Sequence, residues 1–117
     1  MSTIQIRTQI PGPKSKSLSE RRSQAVPRGL SLGTPIYVAK AQDAWLEDVD
    51  GNRYIDFAGG IGCANAGHRQ EAVVDAIRGQ LDKFLHTCVQ VTPYEGYIRL
   101  AERMNQVTPG KFPKKTL

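Results

Sequence analysis

A chain of 117 residues in which 39% are hydrophobic can build one core of modest depth, and it has no room for a second complete domain. Its formal charge of +5 is unevenly placed: residues 1 to 28 hold six basic side chains and one acidic, whereas the remainder balances ten against ten. The basic segment contains no Phe, Tyr or Trp to stack on bases, so no nucleic-acid partner is expected, and no stretch approaches the roughly twenty apolar residues of a membrane helix, so no membrane partner is expected.

Taken in chain order, residues 1–28 (MSTIQIRTQIPGPKSKSLSERRSQAVPR) are rich in Pro, Ser and charge, cannot bury enough apolar surface to order themselves, and read as a mostly disordered tail or strap. The segment lacks the continuous apolar run of a secretory signal, and Pro11 and Pro13 would interrupt a presequence helix. Residues 29–91 carry strand signals first. Ile36, Tyr37 and Val38 begin an extended stretch to Ala41, and Trp45, Val49, Tyr54, Ile55 and Phe57 flank Asp50-Gly51-Asn52, residue types that tolerate positive φ in tight turns. An antiparallel meander follows, and it needs a covering layer.

After Phe57 the side chains become small: Ala58, Gly59, Gly60, Gly62, Ala64, Ala66 and Gly67, with Ile61 the one large apolar residue among them. Such a glycine-rich elbow admits either a ligand or a closely packed neighbouring element. Without the GxGxxG spacing or a lysine it makes a poor phosphate loop, which disfavours dinucleotide binding.

Two amphipathic helices come next. Val73, Val74, Ile77, Leu81 and Phe84 share one face of Gln70 to Leu85, and Tyr97, Leu100, Ala101, Met104 and Val107 share one face of Tyr94 to Val107, a helix opened by Thr92-Pro93 and stopped by Pro109-Gly110. In the connector His86-Thr87-Cys88-Val89-Gln90-Val91, the flanking valines lead to the expectation that Gln90 is enclosed. Cys63 and Cys88 are expected to be unpaired thiols in a reducing, cytoplasmic setting; they form no zinc spacing with His68 or His86, and no Cys-His nucleophile is expected. None of the seven lysines sits in an apolar run that would depress its pKa for Schiff-base chemistry. No catalytic, cofactor-binding or metal-binding residue is therefore assigned within the chain.

The chain resembles the amino-terminal part of the class III pyridoxal-phosphate aminotransferases, with 4-aminobutyrate aminotransferases the most similar branch. The resemblance rests on Pro11-Gly12-Pro13-Lys14-Ser15, Arg21-Arg22, Ala25-Val26-Pro27-Arg28-Gly29, the hairpin Asp48 to Phe57, Gly59-Gly60-Ile61-Gly62, Asn65-Ala66-Gly67-His68, the run His86 to Val91, Tyr94-Glu95 and Met104-Asn105-Gln106. Family members usually read G-H-x-H-P before the first long helix; here Gly67-His68-Arg69-Gln70-Glu71 loses the second histidine and the proline.

The resemblance implies an α/β fold of the aspartate aminotransferase type (fold type I), represented in this stretch by an α+β arrangement of meander and two helices. Residues 29–91 would belong to the smaller domain, and residues 92–117 would start the larger, cofactor-carrying one. By position Ile61 would press on the substrate's aliphatic chain and Gln90 would reach the substrate region. The implied reaction moves an amino group from 4-aminobutyrate or a similar ω-amino acid to 2-oxoglutarate on pyridoxal 5'-phosphate, in a homodimer. The phosphate cup, the aspartate at the pyridine nitrogen and the aldehyde-binding lysine would lie beyond Leu117, so the chain alone is expected to hold no cofactor and to be inactive. The alternative is a non-catalytic binding or dimerisation module derived from the same amino terminus.

Overall fold

The hairpin is the organising element. In a computed structural model, which describes residues 4–117, β2 (Trp45–Asp48) and β3 (Arg53–Ile55) pair antiparallel with Leu46 opposite Tyr54, and β1 (Val38–Gln42) pairs with the other edge of β2 with Ala41 opposite Leu46. The sheet order is β1-β2-β3, a meander as expected from the residue pattern, with an irregularity between Val38 and Lys40. At the β2–β3 turn Gly51 adopts φ +82°, the left-handed region that glycine enters without a Cβ penalty, and the Gly51 amide donates to the Asp48 carbonyl at 3.0 Å. Phe57 falls beyond β3 and is 94% exposed.

The basic segment departs from the expectation of disorder. Pro13–Ala25 form α1, and Pro13, which the sequence suggests as an interrupter, stands instead at the start, where its fixed φ suits a helix and its missing N–H is no loss. The helix is polar almost all round, so an apolar face cannot hold it. Its support comes from the hairpin, described below. Upstream, Gln5 bridges Arg53 through two backbone hydrogen bonds, at 3.2 and 2.8 Å.

Beyond the sheet, Gly59–Gly62 make a single turn, α2, followed by α3 (Glu71–Leu81) and α4 (Glu95–Val107). α3 ends four residues before the expected Leu85, because the Gln80 carbonyl accepts both the Lys83 and Phe84 amides while the Gln80 side chain donates to the Phe84 carbonyl at 2.9 Å. α4 begins one residue after Tyr94, which is extended at the N-cap. At its other end the Thr108 hydroxyl donates to the Met104 carbonyl at 2.7 Å, and Lys114 Nζ donates to the carbonyls of Thr108 and Gly110 at 2.7 and 2.6 Å. A cation there also complements the negative end of the helix dipole.

The chain divides into two compact units, Met1–Asp75 and Ala76–Leu117. No apolar side chain among the described residues is buried, and the fully enclosed ones are all polar: Ser15, Asp48 and Asn52. Among the described residues no helix is long and apolar enough to cross a membrane.

Candidate functional site

Two polar clusters in the first unit fix the backbone around the elbow. In the hairpin turn Asp48 is the hub. Its Oδ1 accepts the amides of Asp50 and Asn52 at 2.9 and 2.8 Å, and its Oδ2 accepts the Asn52 side-chain amide and the Tyr54 hydroxyl, both at 2.8 Å. Burial pushes the Asp48 carboxyl up, but these four donors outweigh it and hold the group below its usual range. Burial, reinforced by the hydrogen bond to Asp48 and its charge, pushes the Tyr54 phenol up to about 12.

Asn52, fully enclosed, turns outward to the strap: its Oδ1 accepts the Arg7 and Thr8 amides at 2.7 and 3.0 Å, and its Nδ2 also donates to Thr8 Oγ1 at 2.9 Å. Asp50 caps α1 from across the sequence. Its Oδ1 accepts the Lys14 amide, and its Oδ2 accepts the Ser15 amide and hydroxyl, at 2.7, 2.9 and 2.6 Å.

The second cluster belongs to the elbow. Asp56, one residue past β3, accepts the Ala58 and Gly59 amides on Oδ1 at 2.9 and 3.0 Å and faces His68 Nε2 across 2.7 Å with Oδ2. The hydrogen bond to His68, with the Gly59 and Ala58 amides, holds the Asp56 carboxyl below its usual range against the opposing effect of burial. His68 is in turn tied to Asp43 by two backbone bonds, Asp43 N to His68 O at 2.8 Å and His68 N to Asp43 O at 2.7 Å. Both ends of the glycine-rich segment are therefore anchored.

Between those anchors Gly59, Gly60, Ile61 and Gly62 all have positive φ, at 52°, 60°, 54° and 81°. Glycine adopts such values readily, but for β-branched Ile61 the left-handed region costs about 1–3 kcal/mol. The result is an apolar side chain 92% exposed at the apex of the turn. Strain of this kind persists where the surroundings over-determine it, and the Asp56 cap and the Asp43–His68 bridge supply that constraint.

Gln90 lies in the second unit, whereas Ile61 lies in the first. The expected enclosure of Gln90 does not hold in this chain. Gln90 is exposed, with Oε1 4.0 Å from Cys88 Sγ, in a connector that folds on itself through the Val91 and Thr92 amides donating to the Cys88 carbonyl. A groove of about 450 Å³ beside the connector is walled by Phe84, His86, Thr87, Tyr94 and Arg99 and does not include Gln90. Both cysteines are exposed thiols. Among the described residues no cluster of His, Cys, Asp or Glu is arranged to hold a metal ion.

A family model for class-III aminotransferases matches residues 30–117. The chain belongs to the class-III aminotransferase family. It is 48% identical over 110 residues to a 4-aminobutyrate aminotransferase of Mycobacterium tuberculosis, covering 94% of this chain and 24% of that protein. To 4-aminobutyrate aminotransferase GabT of Escherichia coli it is 50% identical over 103 residues, covering 88% of this chain and 24% of that protein. Among solved structures, an omega-transaminase from Sphaerobacter thermophilus superposes with TM-score 0.71 at 27% identity, covering 82% of this chain and 23% of that one. The chain spans about a quarter of the length of the curated relatives it matches.

Aminotransferases of this family use pyridoxal phosphate, and a taurine:2-oxoglutarate aminotransferase from Bifidobacterium kashiwanohense, 27% identical with TM-score 0.67 over 80% of this chain and 21% of that one, is solved in complex with PLP and glutamate. The residues present here do not fit that group. Its aldehyde requires an amine held in an apolar setting, yet Lys114 Nζ is occupied by helix-end carbonyls, Lys40 Nζ lies 3.5 Å from Glu47, and the other lysines are exposed.

No pattern in the sequence marks His68, which forms no zinc spacing, as the partner of Asp56. The available signal was an Asp three residues ahead of Gly59, a spacing that lets the carboxylate accept the amides of the turn it opens.

Proposed function

We propose that these 117 residues form the amino-terminal wall of a transaminase active site whose cofactor-binding half is supplied by further polypeptide. In this reading residues 1–28 are a strap, residues 29–91 part of the smaller domain, and residues 92–117 the start of the larger domain. The observation that carries it is Ile61, an apolar side chain held in a strained backbone and presented at the tip of an anchored glycine turn. Such a surface suits the methylene chain of an ω-amino acid and offers nothing to a charged group.

The donor is 4-aminobutyrate or a homologue of similar length. Relatives named for 4-aminobutyrate and for 5-aminovalerate, the latter DavT of Pseudomonas aeruginosa at 48% identity, support a wall that tolerates one methylene more or less. The acceptor is 2-oxoglutarate, the cofactor is pyridoxal phosphate held by residues outside this chain, and the working subunit is a cytoplasmic homodimer. Gln90 approaches the substrate from the connector once other sequence covers the second unit. By itself the chain is inactive.

The full-length polypeptide carrying these residues, given pyridoxal phosphate and 2-oxoglutarate, is expected to form glutamate from 4-aminobutyrate and from 5-aminovalerate with kcat/KM values within about 200-fold of each other. The 117 residues alone are expected to form none. Turnover by the short chain, or none by the full-length protein, rejects the reading; a folded, inactive full-length protein that binds another macromolecule favours the non-catalytic module instead.

A further inference from the structure

We infer that Asp56 and His68 are positioning residues that set substrate specificity by holding Ile61 at the tip of the elbow; this rests on the transaminase reading above. The segment between them, residues 57–67, is made largely of Gly and Ala, whose backbone has many accessible conformations and few side-chain contacts of its own. Within the turn the Ile61 amide donates to the Ala58 carbonyl and the Ala64 amide to the Gly59 carbonyl, both at 2.8 Å, which closes the turn locally around a β-branched residue at φ +54°. The two ends add the constraint that ties this turn to the rest of the first unit.

At the leading end, Asp56 Oδ1 takes the Ala58 and Gly59 amides, so the carboxylate orients the peptide planes that begin the left-handed turn. At the trailing end, the two backbone bonds between Asp43 and His68 fix the position of the imidazole relative to the connection between β1 and β2. The 2.7 Å contact between His68 Nε2 and Asp56 Oδ2 joins those ends. The pair is well shielded, with side-chain exposures of 24% for His68 and 7% for Asp56, so water competes weakly for the link. Gly67 closes the clamp from the other side. It has φ +87°, and a Cβ there would sit 3.2 Å from the Asp43 backbone, so a side chain at that position would strain its own backbone and push the Asp43 backbone away by a few tenths of an ångström.

Neither Asp56 nor His68 touches substrate in this arrangement; their effect passes through Ile61. Loosening the clamp should therefore weaken recognition of the donor's aliphatic chain while leaving the half-reaction with the oxo acid's carboxylates less affected. A purely structural role predicts a different pattern, in which kcat, both KM values and cofactor retention fall together with the amount of folded protein.

The test uses the full-length polypeptide with pyridoxal phosphate bound, and compares H68A, H68Q, D56N and G67A with wild type. Hydrogen exchange followed by mass spectrometry on peptides spanning residues 57–68 is expected to be about tenfold faster in H68A, D56N and G67A, with peptides covering the Asp48–Asn52 turn unchanged. The KM for 4-aminobutyrate is expected to rise about tenfold with kcat changed less than about twofold and cofactor content unchanged. H68Q, whose amide can donate to Asp56 from a similar position, should recover much of both effects. Wild-type exchange in residues 57–68, or faster exchange without any change in donor KM, overturns the proposal. Full-length wild type that exchanges normally but does not transaminate instead removes the transaminase reading, and with it the specificity role of the clamp.

Discussion

Tyr54 donates its hydroxyl to Asp48 Oδ2 at 2.8 Å, and each residue shifts the other's titration in the direction that preserves the bond. The Asp48 carboxyl is held below its ordinary range, so its contribution is fully present above the unfolded value of about 3.9 and is lost as pH falls through the lower folded value. The phenol is raised to about 12, so its contribution is complete below about 10 and disappears as pH climbs from there through the folded value. Stability of the first unit should therefore plateau from weakly acidic to weakly alkaline pH. Y54F should flatten the alkaline limb, a difference on the order of 1–2 kcal/mol after solvent screening. Urea titrations of both proteins at stepped pH measure it, and coincident curves above pH 10 would contradict the coupling.

Asn52 is the residue whose loss should be felt furthest along the strap. Its enclosed amide serves Arg7, Thr8 and Asp48 at once. N52A would strand those partners and cost about 1–3 kcal/mol. N52D keeps the acceptor for the Arg7 and Thr8 amides but removes the donors and sets a second carboxylate against Asp48, so it should be at least as damaging near neutral pH. Denaturant midpoints decide the order, and an N52D protein as stable as wild type would show that the donors contribute nothing.

The cap on α1 predicts a steric effect at a distance. A Cβ on Gly12 would lie 2.3 Å from Asp50 Cγ, too close for the carboxylate to stay in place. G12A should therefore free the Lys14 and Ser15 amides, and because α1 has no strong apolar face it should fray. Limited trypsinolysis after Arg21 and Arg22 is expected to quicken about tenfold while cleavage after Arg53 is unchanged. Equal rates at all three sites would mean that the helix stands without Asp50.

What could be read from the sequence follows from which interactions are periodic. The hairpin and both amphipathic helices were legible because alternation and three-four spacing are local patterns. The ends of α3 and the helix in the strap were not, since Gln80 closes one with its own side chain and Asp50 nucleates the other from 35 residues away. Composition alone made residues 13–25 look disordered, because the group that orders them is not among them. Ile61 was legible as the one large side chain in a small-residue run, whereas its left-handed backbone and the Asp56–His68 clamp depend on a contact across twelve residues that no period encodes. The enclosure expected of Gln90 is absent because flanking valines bury an amide only when something lies over them.

That missing cover carries the last prediction. Ile77 and Leu81 on α3, and Leu100, Met104 and Val107 on α4, are each 42% to 61% exposed, although their spacing is that of buried helix faces. Burying a side chain of this size is worth about 1.5–3 kcal/mol, so several such residues on one helix provide a strong drive to find a partner surface. The 117 residues purified alone should associate in a concentration-dependent manner, measurable by sedimentation velocity across the micromolar range. A paired change, L100K with M104K, should shift the distribution toward monomer, because a lysine on a face that is exposed in the monomer costs little but resists burial in an assembly. If the wild-type chain sediments as a well-dispersed monomer at every concentration, those faces are not seeking cover, and the view that further polypeptide completes this chain loses its energetic basis.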